Sequence, residues 1–591
     1  MERPQRQVLS AIIPVGLVIL GIALWQWYQA SRGQRPQKAT TTISENEIPD
    51  VPLHDLATWC VQRWAGNTAP APASLQSPAE AVYLAARQDG VLLTRAWGDG
   101  TTLGGALEDA IAKLGNASRS ATALELFVVT DSEVLDAAKA TPRLLSNIHR
   151  GIVGIEEVRG ATNVVRHSPT EVLASNRSHR KMLGLAANGS APTDVAFRLL
   201  YGKQILVDIG AGTASTMERG NTLVGLGSVT EPSIKNFSER LATWMWANLH
   251  ANGRMTYLYW PSQGREAPGR DNLIRQFMAT IALGRVAALR SDAALLERSA
   301  SNIDYNLGAY FAQEGDLGIV RLHDKVKLGA VALAALAIAE HPRSSRWKTQ
   351  EAALLRTVDS LWQDDGAFRT FHSPSDRNDN QNFYPGEALL LWATKIANEP
   401  DSELLARFMK SFSFYRAWHL DPSEPGRRNP AFVPWHTQAY FLVWKQTKNT
   451  ELRDFIFEMN DWLLKVQQWD TAQYSDTRGR FYSPDHDYGP PHASATGVYL
   501  EGLADAFSLA LLVGDTSRTK KYSEAIRRGL RSSQQLQFTD DIDMFYVSKR
   551  DRVFGGLRTT VYDNQIRCDN VQHTLMATLK ILESGALPAA H

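Results

Sequence analysis

The chain predicts a multidomain protein: an N-terminal transmembrane helix, a small α+β domain and a C-terminal all-α ring of helical pairs. Three observations predict this. An uncharged apolar run lies near the N-terminus, a mixed strand and helix pattern extends to about residue 230, and a two-helix unit restarts six times from Asn272 onward. The apolar helices of these units open near Asn272, Val326, Tyr384, Trp435, Ala495 and Asp569, in steps of 54, 58, 51, 60 and 74 residues. A repeat of this length cannot bury its apolar face alone and must stack on its neighbours. Six such units in succession predict a ring that closes on itself.

A length of 591 residues exceeds a single core. Hydrophobic content of 44% and charged content of 21% are those of folded protein. With a net charge of +1 there is no broad basic surface, which excludes nucleic acid as the main partner. Cys60 and Cys568 are the only cysteines, which rules out a cysteine-built zinc site and a disulfide-dense scaffold. No metal and no cofactor is expected.

Between Arg6 and Arg32 no residue is charged, and Val8 to Leu24 is almost wholly apolar before Trp25, Trp27 and Tyr28. Such a run spans a bilayer core, which needs about 20 residues, with an aromatic belt on its far side. A cleaved signal peptide is the rival reading, but the apolar run is long and lacks a convincing small-x-small site before the polar stretch. Positive charge is balanced across the run, with Arg3 and Arg6 before it and Arg32, Arg35 and Lys38 after it. The low cysteine content and the glycan reading below place the soluble part outside the cytoplasm. The expectation is a single-pass protein of the inner (cytoplasmic) membrane with periplasmic domains.

Residues 1–30 are thus read as the anchor and 31–76 as a linker or stalk, polar at 31–50 and rich in Ala and Pro from Asn67 to Pro78, with a short helix of no evident role at Leu53 to Trp64. Residues 77–230 read as the α+β domain. Gly90 to Ala96, Leu124 to Thr130, Ile152 to Val158 and Gln204 to Ile209 are expected strands, and Thr102 to Leu114 an expected helix. The order of the alanine-bearing helix, the strand LELFVVT with Asp131 to Val134, GIVGIEEVRG and SPTEVLASN resembles the AMMECR-like family. Where that family's Arg-Gly-Cys-Ile-Gly signature is expected, the chain has Thr102-Leu103-Gly104-Gly105. The resemblance therefore implies a fold and no activity, and the domain is read as a structural or glycan-docking accessory.

Residues 233–585 form the helical part. Outer-type helices with one apolar stripe are expected at Ser233 to Ala251, Asp292 to Phe311, Arg346 to Trp362, Ser402 to Trp418, Glu451 to Gln467 and Ser517 to Leu536. The inner type is apolar all round, as in Lys327 to Glu340 (KLGAVALAALAIAE), where Ala and Gly permit close approach of neighbours. Inner-to-outer connections are short and outer-to-inner connections are long, so function is expected on the long-loop face, where the inner helices begin. Helix N-termini add partial positive charge there.

The phrases Tyr384-Pro-Gly-Glu387-Ala-Leu, Trp435-His-Thr-Gln438-Ala, Tyr499-Leu-Glu501-Gly-Leu-Ala-Asp505 and Asp569-Asn-Val-Gln572-His573, set in six helical pairs, resemble the six-hairpin (α/α)6 toroid superfamily of glycan-active enzymes. Among its members the chain is most similar to the C-terminal domain of glucuronyl carbon-5 epimerases. The resemblance implies a C-terminal (α/α)6 toroid and carbohydrate chemistry, without choosing among hydrolase, lyase, epimerase and non-catalytic binder.

Sugar chemistry at neutral pH needs a proton donor and an acceptor. Glu387, in the first turn of the third inner helix just after Tyr384 and Pro385, is the leading acid/base candidate, with Tyr384 beside it. The bland reading of Glu387 is an acidic first-turn residue favoured by the helix dipole. Asp569 and His573 are four apart on one helical face with Gln572 beside them, so the carboxylate is expected to orient the imidazole. The alternatives are a helix cap for Asp569 and a core histidine for His573. His436 is a further catalytic candidate. Asn272, Arg275, Gln276, Trp435, Gln438 and Gln572 suit sugar binding, Arg275 as a bidentate partner of an acidic sugar. The loop Asp485-His486-Asp487-Tyr488 with His492 has no metal spacing and reads as solvated. Glu501 and Asp505 lie deeper in their helix and read as structural.

The function expected is a membrane-anchored protein modifying an exported polysaccharide, acidic ones among the candidates, as an epimerase, lyase or hydrolase, with export-complex partners. The alternative is a non-catalytic glycan- or protein-binding scaffold of an export or assembly complex. An open cleft carrying reactive groups favours the enzyme, and a cleft filled by its own side chains favours the scaffold.

Overall fold

The structure, a computed structural model, describes residues 51–115, 120–135, 147–159, 163–177, 179–182, 195–486, 488–540 and 542–587. The apolar run at Val8 to Leu24 and the polar stretch to residue 50 lie outside the described residues, and so does the expected anchor.

The first part is built on an antiparallel sheet: β1 (Ala81–Gln88), β2 (Val91–Asp99), β3 (Ala123–Leu135), β4 (Gly154–Arg159), β5 (Asn163–His167), β6 (Val195–Asp208) and β7 (Thr213–Met217). Strand order is β2-β1-β3-β6-β4-β5, with β7 also on β6. Helices α1 (Leu53–Trp64) and α2 (Leu103–Leu114) cover one face, α3 (Pro169–Ser175) carries a Ser168/Glu171 capping box, and α4 (His179–Met182) is one turn. The expected strands all occur, but β1, β5, β7 and the first half of β6 were not foreseen. β1 shows why: seven of its eight residues are buried, so AVYLAARQ has none of the alternation that marks a half-exposed strand.

A correction concerns α1, assigned to the stalk. Leu56, Trp59 and Cys60 recur at helical spacing and join the core formed with Val82, Leu84, Leu126 and Ile205, so the helix is part of the sheet's packing. Cys60 and Cys568 are both buried and free.

From residue 231 the chain runs through α5 (Glu231–Ala247), α6 (Leu273–Arg290), α7 (Ala293–Tyr310), α8 (Leu328–Ala339), α9 (Lys348–Leu361), α10 (Tyr384–Asn398), α11 (Ser402–Leu420), α12 (Phe432–Thr447), α13 (Thr450–Leu463), α14 (Ala493–Leu512), α15 (Thr516–Gln534) and α16 (Cys568–Ser584). Even-numbered helices form an inner ring, each touching the next, and α16 touches α6 to close it. Odd-numbered helices lie outside, with α5 against α16. Every residue of α8 from Leu328 to Ile338 is buried, as an apolar helix covered on all sides requires. Closure is reinforced at one end, where Ile566–Arg567 pairs with Leu258–Trp260, tying the last loop to the first. All six inner helices begin at that long-loop end.

The sheet part sits on two of these loops. Arg219 Nε lies 2.6 Å from Asp476 Oδ2 in a pair with both side chains 2% exposed, while Arg219 Nη1 donates to Ile148 O and Arg150 O. Arg150 Nη1 donates to Tyr562 O, Asn176 Nδ2 to Asp563 Oδ1 and Asn564 Nδ2 to Leu173 O. Removing one partner of a buried ion pair leaves the other charge uncompensated. Arg219→Met or Asp476→Leu is therefore expected to cost about 3–5 kcal/mol each, and the double variant much less than their sum, measured by urea unfolding in a double-mutant cycle.

Candidate active site

The first turns of the inner helices and the long loops enclose a cavity of about 300 Å3. Asn272, Arg275, Tyr384, Glu387, Trp435, Asp569, Gln572 and His573 all line it, so eight of the eleven expected site residues meet in one place.

Glu387 stands in the first turn of α10, with Pro385 beside it at the start of the helix. Its carboxyl lies directly over α8 at Gly329, where a Cβ would come within 1.7 Å of Oε2. Oε2 is buried without a hydrogen-bond partner. Burial pushes its pKa up to about 8 and nearby Lys327 only partly opposes this, so the group is largely protonated at neutral pH. Tyr384 packs edge-on to Phe371, and burial and then Glu387 hold its hydroxyl above the ordinary tyrosine range.

His573 is set by a different neighbour from the one expected. Its Nδ1 lies 2.6 Å from Glu501 Oε1, with Glu501 1% exposed on α14. Gly497, one turn before Glu501, makes this possible, because a Cβ there would meet Thr574 N at 2.8 Å and hold α14 away from α16. A carboxylate on Nδ1 fixes that nitrogen as the proton-bearing one and leaves Nε2 as the acceptor. Trp435 meets the imidazole edge-on at 5.9 Å.

Asp569 is on the expected face of α16 but serves the arginines. Arg275 Nε lies 2.8 Å from Oδ2, and Arg567 donates to both oxygens at 3.0 and 2.8 Å. Burial opposes ionisation, yet Arg275 and Arg567 outweigh it and draw the pKa down to about 2. Arg567 also donates to Ser494 Oγ, which bonds His492 Nδ1 at 2.7 Å. Burial and then Arg567 lower the His492 pKa to about 4, and its Nδ1 caps α14 through Ala495 N. The expectation that Asp569 orients His573 is thus corrected: two guanidinium groups claim the carboxylate. Arg275, expected to take an acidic sugar, has Nε on Asp569 and Nη1 on the Tyr257 hydroxyl.

Three expected residues lie elsewhere. His436 is fully buried off the cavity, stacked on Phe432 with centroids 3.5 Å apart and flanked by Tyr415 and Tyr440. Burial and then His419 hold it well below the usual histidine range, so it is a neutral core ring. Gln276 is buried and donates to Met255 O and Asp271 Oδ1, fastening the loop before α6. Gln438 accepts from Lys580 Nζ at 2.8 Å, deeper in the ring. Asn272 lines the cavity, but its Oδ1 caps α6. Gln572 lines the cavity, and both its amide atoms are buried without a protein partner.

Lys327 and Phe383 were missed as cavity residues, His492 and Tyr488 were read only as part of a solvated loop, and Glu501 only as structural. Lys327 was visible as the charge at the mouth of the most apolar helix. Glu501 carried no usable signal, since its partner lies 72 residues away on another helix.

No protein-family model matches the chain, and no curated protein matches it. Among solved structures it is similar to a sugar epimerase from a ruminal bacterium (TM-score 0.46, 10% identity, covering 60% of this chain and 99% of that one). It is also similar to a D-mannose isomerase (TM-score 0.45, 13% identity, 60% and 98%) and to an unsaturated glucuronyl hydrolase specific for heparin (TM-score 0.43, 14% identity, 60% and 98%).

Three outcomes test this geometry. Folded Glu387 keeps its proton to about 8, whereas the unfolded chain releases it near 4.5, so its contribution to stability falls as pH rises through that window. Glu387→Gln should remove this slope in thermal melts across the window, and Gly329→Ala should cut activity as severely as Glu387→Gln by displacing the carboxyl. His436→Leu should keep turnover within about threefold of the parent, the expectation for a core residue off the cavity, as read from steady-state kinetics.

Proposed function

We propose that this protein modifies a polysaccharide by proton transfer at a sugar ring, as an epimerase or a lyase. The observation that carries the reading is the pairing, in one open cavity, of a protonated carboxyl, Glu387, with an imidazole, His573, whose Nδ1 is occupied by Glu501. His573 Nε2 takes a proton from a ring carbon. Glu387 gives its proton back to that carbon from the opposite side for epimerisation, or to the leaving glycosidic oxygen for elimination. Trp435, Phe383, Tyr482 and Tyr488 offer faces for sugar rings, and the unpartnered Gln572 amide suits hydroxyl groups.

Hydrolysis is the second reading. Glycoside hydrolysis ordinarily uses two carboxyl groups across the bond. Here Asp569 is tied to two arginines and Glu501 to His573, which leaves Glu387 as the one carboxyl lining the cavity, among the described residues, that is neither ion-paired nor hydrogen-bonded. That distribution favours proton transfer by an acid and an imidazole. The scaffold reading is disfavoured because the cavity is open and carries unpartnered polar groups. The apolar run at Val8 to Leu24 supports a membrane anchor, and the low cysteine content with the glycan reading supports a periplasmic placement of the rest, acting on a glycan during export with export-complex partners.

Glu387→Gln and His573→Ala should each lower product formation by about 10^2-fold or more on the polysaccharide of the producing organism, with the fold intact by circular dichroism. Activity should fall as pH rises past about 8, where Glu387 loses its proton. Mass spectrometry of preformed polymer incubated with the protein in D2O reads the reaction type, since epimerisation leaves deuterium on a ring carbon and hydrolysis does not. Unchanged polymer length and composition in both variants would sink the enzyme reading.

A further inference from the structure

Removing a proton from a ring carbon requires an electron-withdrawing group on the adjacent carbon, and in a polysaccharide the C6 carboxylate of a hexuronate supplies one. Such a carboxylate loses water on entering a cavity and needs an opposite charge waiting there. Of the two cations that line the cavity, Arg275 is already engaged, since it binds Asp569 together with Arg567 behind it.

Lys327 is different. It lines the cavity with Glu387, Gln572 and His573, yet among the described residues no carboxylate lies within ion-pair distance of it. Its backbone is fixed, because Val326–Lys327 pairs with Phe371–Ser373 and Leu328 N donates to Thr370 O. Its side chain is half-buried. Burial and then Lys325 press the amine below the usual lysine range, Arg377 and Arg275 add to this, and Glu387 alone opposes. Glu387 is itself largely neutral at neutral pH. The same cavity presents two buried groups without partners, Glu387 Oε2 and the Gln572 amide, which can bond the rest of a sugar. A cation surrounded by cations, beside unspent polar groups, is a site that an anion would complete.

We propose that Lys327 is the specificity-determining residue of this cavity, binding the carboxylate of an acidic sugar unit, so that the substrate is a hexuronate-bearing polysaccharide. The proposal rests on the enzyme reading for placing a sugar in the cavity, and it replaces Arg275 with Lys327 as the reader of the charge.

The test is calorimetric binding in the full chain carrying Glu387→Gln, so that turnover plays no part. Probes are tetrasaccharides of mannuronate, galacturonate and hyaluronan, each with its carboxyl-reduced counterpart of identical linkage. At least one uronate should bind about tenfold or more tighter than its reduced form. Lys327→Gln should bring that preference to within about twofold, and Lys327→Arg should restore it. Equal binding of reduced forms, no binding of any uronate, or a preference that survives Lys327→Gln overturns the proposal. A sulfated, carboxyl-reduced tetrasaccharide binding in place of the uronates also overturns it, since the ligand would then be a sulfate ester. If the preference holds while the polymer is unchanged in the Glu387 and His573 variants, the enzyme reading fails and the anion site stands. If turnover is lost as expected but the preference is absent, only the role of Lys327 fails.

Discussion

Asp569 sits in the seam where the last inner helix meets the first, taking Arg275 from α6 and Arg567 from the strand that leads into α16. A ring of helical pairs has one joint that chain connectivity does not make, and this ion triad lies in it at the mouth. Cys568 N donates to Tyr257 O beside it, and the short strand pairing of Ile566–Arg567 with Leu258–Trp260 completes the join. A buried carboxylate remains ionised only with such partners, which is why two arginines face one aspartate. The rest of the site inherits this arrangement: with both guanidinium groups drawn to Asp569, the imidazole is met by another carboxylate, Glu501, and Lys327 remains as the cavity cation without an ion pair among the described residues.

The ring was legible because its cause is written locally. An inner helix must be apolar on every side and small enough to let neighbours approach, and KLGAVALAALAIAE states both conditions in one segment. The side of the ring carrying the cavity was legible too, since loop length is a property of the chain. Pairings across the ring were not. Helical spacing put Asp569 and His573 on one face, but spacing along one helix says nothing of Arg275 or Glu501, which arrive from neighbouring helices. His436, beside Trp435, has the sequence context of a mouth residue, yet the helix turn directs it into Phe432 and Tyr440, away from the cavity. In the sheet, β1 was hidden because a strand buried on both faces loses its period.

Glu387 shows how the fold maintains a reactive state. An ionised carboxylate without partners is costly to bury, and the less costly course is to keep its proton. Gly329 secures this, since any side chain there would push the carboxyl out of its niche. The price is stability at alkaline pH, a strain of the kind that functional sites concentrate.

The common direction of the inner helices has a consequence for the interior as a whole. Six N-termini at the cavity place six carbonyl ends at the opposite opening, and the charged groups deeper in the ring, Arg285 with Glu340 and Lys580 with Asp505, lie toward that end. The six outer helices run the opposite way, so the two rings cancel along the axis and what remains is local: the inner N-termini converge on the cavity while the outer helices end farther from the axis. Partial charge of that kind fades within a helical turn, so it acts on a group already inside the cavity and not on a chain at a distance.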